Sequence, residues 1–155
     1  MDAQIKALIL NIIAAHRVMT VATVRPDGWP QATTVGYASD GLFLYFLCGV
    51  GSQKAANLAA CNKVSLTIDD DADDVMSLKG VSMAATAEFI TDSALIPKLY
   101  AKLIAKYPGA ETLPPPDSAT VRYVRLTPMV ISVLDYSKGF GHADLVSVAH
   151  EDLNG

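Results

Sequence analysis

Apolar residues at Ile5, Leu8, Ile9, Ile12 and Ile13 recur with the i, i+3, i+4, i+7, i+8 spacing of an amphipathic helix, and Asp2 stands where a cap would sit. After His16-Arg17 the period becomes that of strands. Val18–Val24 is short and rich in Val and Thr, and it runs into the turn residues Pro26-Asp27-Gly28. Gln31–Ala38 is the expected second strand, closed by the hairpin signal Asp40-Gly41. Leu42–Cys48 is almost continuously apolar, as in a strand buried on both faces. Gly49-Val50-Gly51-Ser52 then forms a flexible loop before a short helix, Gln53 to Ala60, and a fourth strand, Lys63–Asp69.

The acidic run Asp69, Asp70, Asp71, Asp73 and Asp74 reads as a solvated loop, because it lacks the glycine and spaced carboxylates of a calcium loop. Gly80–Ile90 is a fifth strand. Thr91, Asp92 and Ser93 offer caps for a helix reaching Tyr107. On it Leu95, Leu99, Leu103 and Ile96, Tyr100, Ile104 form an inner stripe, with Lys98, Lys102 and Lys106 on a solvated face. Pro108-Gly109 stops the helix and Pro114-Pro115-Pro116 stiffens the next loop. Thr120–Leu126 and Met129–Leu134 read as two strands separated by Pro128. The tail from Asp135 reads as irregular, tied down by Leu145, Val146 and Val148. Six or seven short antiparallel strands with two or three helices predict a mainly β, α+β fold, a closed barrel with helical plugs. One domain over residues 1–155 is expected, with Tyr136–Gly155 as its C-terminal tail.

Composition adds an oligomer. Hydrophobic residues make up 51% of the 155 and charged residues 18%, against a usual charged share of about 25%. That apolar excess exceeds what one small core absorbs and predicts a homodimer with a buried face. A net charge of −4 argues against a nucleic-acid partner, which requires a basic stripe. Cys48 and Cys61 form no disulfide framework, so a reducing cytoplasm is the expected compartment. No apolar run approaches the ~20 residues that span a bilayer, so no membrane partner is expected. Ala7–Ala15, preceded by Asp2 and interrupted by Asn11, reads as a helix face rather than a leader core.

Nucleophile, zinc and P-loop patterns are missing, and His16, His142 and His150 have no metal-ligand spacing, so no metal is expected and no catalytic residue is assigned. One segment carries candidate chemistry: Leu47-Cys48-Gly49-Val50-Gly51-Ser52-Gln53-Lys54, a strand end, a glycine loop and a helix start. Unpaired N–H groups at a helix N-terminus suit phosphate. Ser52 can cap the helix and donate its hydroxyl, and Lys54 adds a mobile cation. A plain Ser-capped helix with a solvent-facing lysine accounts for the same residues, and both readings stand at this point.

The order and spacing of several strings are more specific than any one of them. Val18-Met19-Thr20-Val21-Ala22-Thr23, Pro26-Asp27-Gly28-Trp29-Pro30-Gln31, Asp40-Gly41-Leu42-Phe43-Leu44-Tyr45-Phe46, Ser52-Gln53-Lys54-Ala55-Ala56-Asn57-Leu58 and Val64-Ser65-Leu66 follow one another over most of the chain. Together they resemble the pyridoxamine 5'-phosphate oxidase-like family. The resemblance implies an FMN-binding split barrel working as a homodimer, with the flavin at the subunit interface. It assigns the backbone of Ala32, Thr33, Thr34 and Val35 to the isoalloxazine ring. Phe46, Leu47 and Cys48 would flank the ring and ribityl chain, and Ser52, Gln53 and Lys54 would hold the phosphate.

Two departures shape the implied function. Many members of that family carry arginine where this chain has Gln53, and Arg17 and Arg25 are the cations available to replace it. The family's C-terminal Arg-x-His element is missing; the chain reads Asp135-Tyr136-Ser137-Lys138-Gly139-Phe140-Gly141-His142 instead. Oxidation of pyridoxamine phosphate is therefore not expected. Tyr136, Lys138 and His142 either border a substrate pocket or belong to an ordinary docked tail. The resemblance implies an FMN-dependent oxidoreductase acting on a small substrate. The alternatives are a non-catalytic flavin-binding or stress-related sensing protein, and a split barrel that uses haem or a deazaflavin coenzyme.

Overall fold

The structure, a computed structural model, describes residues 1–153, and at Glu111 the backbone alone. Helix α1 (Ala3–Ala15) starts at Asp2, whose carboxylate accepts from the Gln4 and Ile5 amides, and it buries Ile9, Ile12 and Ile13. Strands β1 (Val18–Val24), β2 (Pro30–Asp40) and β3 (Phe43–Gly49) follow as two hairpins, then α2 (Gln53–Ala60) and β4 (Lys63–Asp69). Strand β5 (Lys79–Phe89), α3 (Ile96–Ile104), β6 (Val121–Asp135), β7 (Ala143–Ser147) and the short α4 (His150–Leu153) complete the described chain. No described helix is long and apolar enough to cross a membrane.

All strand pairs are antiparallel, in the order β3-β2-β1-β4-β5-β6-β7, and β3 also pairs with β6. The first six strands thus close a barrel and β7 is added outside the circle. Strict alternation drives this closure: on β4 every second residue, Val64, Leu66 and Ile68, is buried, while Lys63, Ser65, Thr67 and Asp69 face out. The inward residues, with Ile9 and Ile13 from α1 and Leu58 from α2, make one continuous core. A second, smaller cluster lies outside the barrel wall, where Leu99 of α3 packs on Tyr45 and Tyr123. That explains why β3 is apolar on both faces.

Several sequence expectations change. Pro128 does not divide two strands, because β6 is continuous from Val121 to Asp135. The register steps from Ala84↔Val130 to Ala85↔Pro128, so Met129 is the extra residue of a bulge, which places a proline in a ladder without removing a needed donor. The tail is more regular than expected: β7 pairs with β6 from Leu134↔Ala143 to Val130↔Ser147. Helix α3 ends at Ile104, short of Tyr107, and Lys106 is not on a solvated face. Its ammonium donates to the Ile13 carbonyl at 3.2 Å and the His16 carbonyl at 2.9 Å and lies 4.0 Å from the Tyr37 ring centroid.

Candidate functional site

Strand β2 has two partners in succession. From Pro30 to Gly36 it pairs with β1, and from Tyr37 to Asp40 it pairs with β3. Beyond Phe46, β3 leaves it and runs along β6 to Gly49. The barrel is split there. The Tyr37 amide donates toward β1, to the Arg17 carbonyl, and the Arg25 amide closes the other end on the Trp29 carbonyl. By alternation the N–H and C=O groups of Ala32, Thr34 and Gly36 point away from β1, into the opening, with no strand opposite them. Backbone groups in that position need a partner.

A cleft of about 940 Å³ occupies the split. Of the residues expected to form a site, Thr34, Val35, Leu47, Cys48, Ser52 and Lys54 line it. Ala32 continues the same edge outside the lining. Thr33 shares its face with Val21 of the core, and its hydroxyl is buried without a partner among the described residues. Phe46 is buried in the core, with the Lys54 ammonium 5.5 Å from its ring centroid.

The glycine turn ends at Ser52, whose Oγ accepts from the Ala55 amide at 3.1 Å and caps α2. That cap leaves the first-turn amides of Gln53 and Lys54 at the helix mouth. Lys54 is half-buried, and no carboxylate lies in ion-pair reach of it among the described residues. Burial holds its ammonium below the ordinary lysine value. Burial pushes the Cys48 thiol up, against the opposing pull of Lys54 and Arg122, so this thiol stays protonated near neutrality.

Gln53 does not point into the cleft. Its amide donates to Asn57 Oδ1 at 2.8 Å, and Asn57, fully buried, donates to Thr23 Oγ1 at 2.9 Å and Gln31 Oε1 at 3.1 Å. This network fastens the helix that carries Ser52 and Lys54 to the two strands beside the split. Asn57→Ala should lower the unfolding free energy by about 1–3 kcal/mol, read from a urea midpoint, because Thr23 is left buried with a poorer partner. An unchanged midpoint would mean the network adds nothing.

Neither arginine proposed for the missing charge reaches the cleft. Arg25 pairs with Asp27 at 2.8 Å on the hairpin tip, and Arg17 is exposed. Arg122, which the sequence reading passed over as an ordinary strand residue, stands opposite Cys48 and lines a neighbouring hollow with Ser52. The other missed residues form the far wall: Tyr100, Leu103 and Ile104 of α3, then Tyr107, Leu113 and Pro114. Tyr136, Lys138 and His142 are elsewhere; Lys138 and His142 both meet Asp144, at 2.9 and 3.1 Å. His16 sits 2.9 Å from Asp70, so the acidic loop is partly tied to α1.

Residues 2–135 match the model of the family described as pyridoxamine 5'-phosphate oxidase. No curated protein matches the chain significantly. Among solved structures, a heme-binding protein from Mycobacterium smegmatis superposes with TM-score 0.74 at 22% identity, over 92% of this chain and 57% of that one. General Stress Protein 26 from Bacillus anthracis gives 0.70 at 19%, over 94% and 99%. HutZ, the heme storage protein of Vibrio cholerae, gives 0.61 at 20%, over 77% and 87%. At these identities the likeness carries the fold alone.

Proposed function

The chain belongs to the pyridoxamine 5'-phosphate oxidase family, and on that premise we propose that it is an FMN-dependent oxidoreductase, a homodimer whose cleft holds the flavin. The observation that supports this best is the unpaired edge of β2 running toward Ser52 and Lys54. The pyrimidine edge of an isoalloxazine ring carries one N–H between two C=O groups, and the unpaired backbone N–H and C=O groups of Ala32, Thr34 and Gly36 would supply complementary partners for it. At the other end a phosphate meets the Ser52 hydroxyl, two first-turn amides and the Lys54 ammonium, a helix-mouth arrangement suited to an anion. When bound, FMN supplies electron and hydride transfer. The protein's residues orient the ring, exclude water and hold the phosphate, so no side chain is required as acid or base.

Family membership does not bring the vitamin-pathway reaction with it. Residues 1–155 hold no Arg-x-His string, and the described tail residues lie outside the cleft. Haem is the competing occupant, since two structural relatives are heme proteins. Apart from its two propionates a porphyrin edge offers the β2 backbone no hydrogen bonds, and its iron takes an axial ligand. No histidine lines the cleft among the described residues, and the Cys48 thiol is held protonated. These features favour flavin.

The test is an absorbance spectrum of the protein as purified, repeated during titration with FMN. Flavin bands, with quenched fluorescence at one FMN per chain, are the expected result. A Soret band, a deazaflavin spectrum or no response to FMN would overturn the reading. The pH dependence gives a second check. Lys54 must be protonated to hold phosphate, and burial lowers its pKa, so FMN affinity should begin to fall with rising pH before an ordinary lysine (about 10.4) would titrate. Riboflavin, without phosphate, should show no such loss over that range. Parallel curves for the two flavins would place the phosphate elsewhere.

A further inference from the structure

The two ends of the cleft differ in chemistry. The cation and the helix mouth are at Ser52 and Lys54, whereas the opposite wall is built by Leu103, Ile104, Leu113 and Pro114 with the rings of Tyr100 and Tyr107. Both tyrosine hydroxyls are already used. Tyr100 Oη donates to the Leu113 carbonyl at 2.7 Å and contacts the Pro114 carbonyl at 3.1 Å. Tyr107 Oη donates to the Arg17 carbonyl at 2.6 Å. The phenols therefore offer the cleft ring faces and no free donor.

The wall is also fixed in place. Tyr107 lies so close to Gly36 that a methyl group there would collide with its hydroxyl, and Lys106 anchors the same turn on α1. Leu113 is 60% exposed, an apolar side chain turned to the open side of a cleft rather than into the core. At about 940 Å³ the cleft is near the upper end of the roughly 300–1,000 Å³ usual for ligand sites, which leaves space beside a cofactor.

We propose that the α3 end of the cleft binds a neutral, mainly apolar, ring-sized second ligand and disfavours anions. An anion there would lose its hydration and meet no compensating charge among the described residues, whereas a neutral ring loses only contact with water. The proposal rests on the flavin reading for what fills the Lys54 end, but the wall itself exists without flavin. It gives the oxidoreductase a substrate class: an uncharged ring compound rather than a phosphorylated one.

Menadione and 1,2-naphthoquinone-4-sulfonate are a suitable pair of probes, similar in ring size and different in charge. Equilibrium dialysis would compare their binding to the full chain, FMN-saturated and flavin-free, with FMN occupancy measured in the same samples. Menadione should bind at least tenfold tighter to the FMN-saturated form, and the ratio should narrow in the flavin-free form, where the open Lys54 end can hold the sulfonate. Leu113→Lys, at an exposed position that tolerates substitution, should shrink that ratio about tenfold; Leu103→Lys repeats the test deeper in the wall. Equal binding of the two probes, or an unchanged ratio in Leu113→Lys, would overturn the proposal. FMN bound without menadione preference removes this inference and leaves the flavin reading; menadione preference without FMN binding does the reverse.

Discussion

Replacing Lys54 by alanine is expected to weaken FMN binding by about 10- to 100-fold while leaving the fold intact. A hydrogen bond to a charged group contributes roughly 1.5–3 kcal/mol, and each 1.4 kcal/mol is a factor of ten. Among the described residues no other cation lines the cleft, and neither Arg17 nor Arg25 is placed to replace Lys54. Stability should change little, within about 1 kcal/mol, because what the lysine gives up is its stem packing and a 5.5 Å approach to the Phe46 ring. Fluorescence titration and a urea melt on the same preparation check both halves. Lys54→Arg should retain most of the affinity. Riboflavin affinity should be nearly unchanged in Lys54→Ala, since in the proposed site β2, and not Lys54, holds the ring edge. Equal loss for riboflavin and FMN would show that the lysine acts through the helix position and not through phosphate.

Much of this was legible in the sequence, for a definite reason. Alternation on β1 and β4 and the turn residues at Asp27-Gly28 and Asp40-Gly41 fix register, and register fixes which strands meet. The Ser52 cap was equally local. What was not legible depended on contacts far apart in the chain. The α3 stripe reads as core from its period, yet Leu103 and Ile104 line the cleft; periodicity shows that a face is apolar, not what covers it. Lys106 and Gln53 were assigned by position on their elements, and their partners, Ile13 and His16 for one and Asn57 for the other, come from packing. A signal existed for Asn57: it is a polar residue on the inner side of a helix half of whose residues are alanine. The split itself is a matter of topology, since nothing in β2 or β3 alone says where the two strands part.

For the proposed flavin-binding homodimer, Thr67→Glu is expected to give a monomer and, through that change, to weaken FMN binding. The outward residues of six adjacent strands motivate this. Ala32 and Thr34 on β2, Thr20 and Ala22 on β1, Ser65 and Thr67 on β4, Ser82 and Ala84 on β5, Val130, Ser132 and Leu134 on β6, and Leu145 on β7 are neighbours across the ladders on the outer side of the strands, and none carries a charge. Lys63 and Asp69 occur only at the ends of β4. An ordinary water-facing sheet would carry lysines and glutamates, whereas here Val130, Leu134 and Leu145, the last 75% exposed, stand among small uncharged residues. In a two-fold interface a central residue meets the same patch of the partner, so one glutamate per chain buries two like charges near each other, each costing several kcal/mol. Because Thr67 is exposed in the single chain, the substitution leaves the core untouched, and Thr67→Val controls for size. Thr34 and Gly36 border both these residues and the cleft, so losing a partner seated there would open one side of the proposed flavin site. Sedimentation of Thr67→Glu at the concentrations used for FMN titration should show a monomer that still unfolds cooperatively, at a urea midpoint lowered by the lost dimer coupling, and with weaker flavin affinity. A Thr67→Glu dimer as tight as the unchanged protein would place the interface elsewhere. A monomer that binds FMN with full affinity would show that each cleft is complete within one chain.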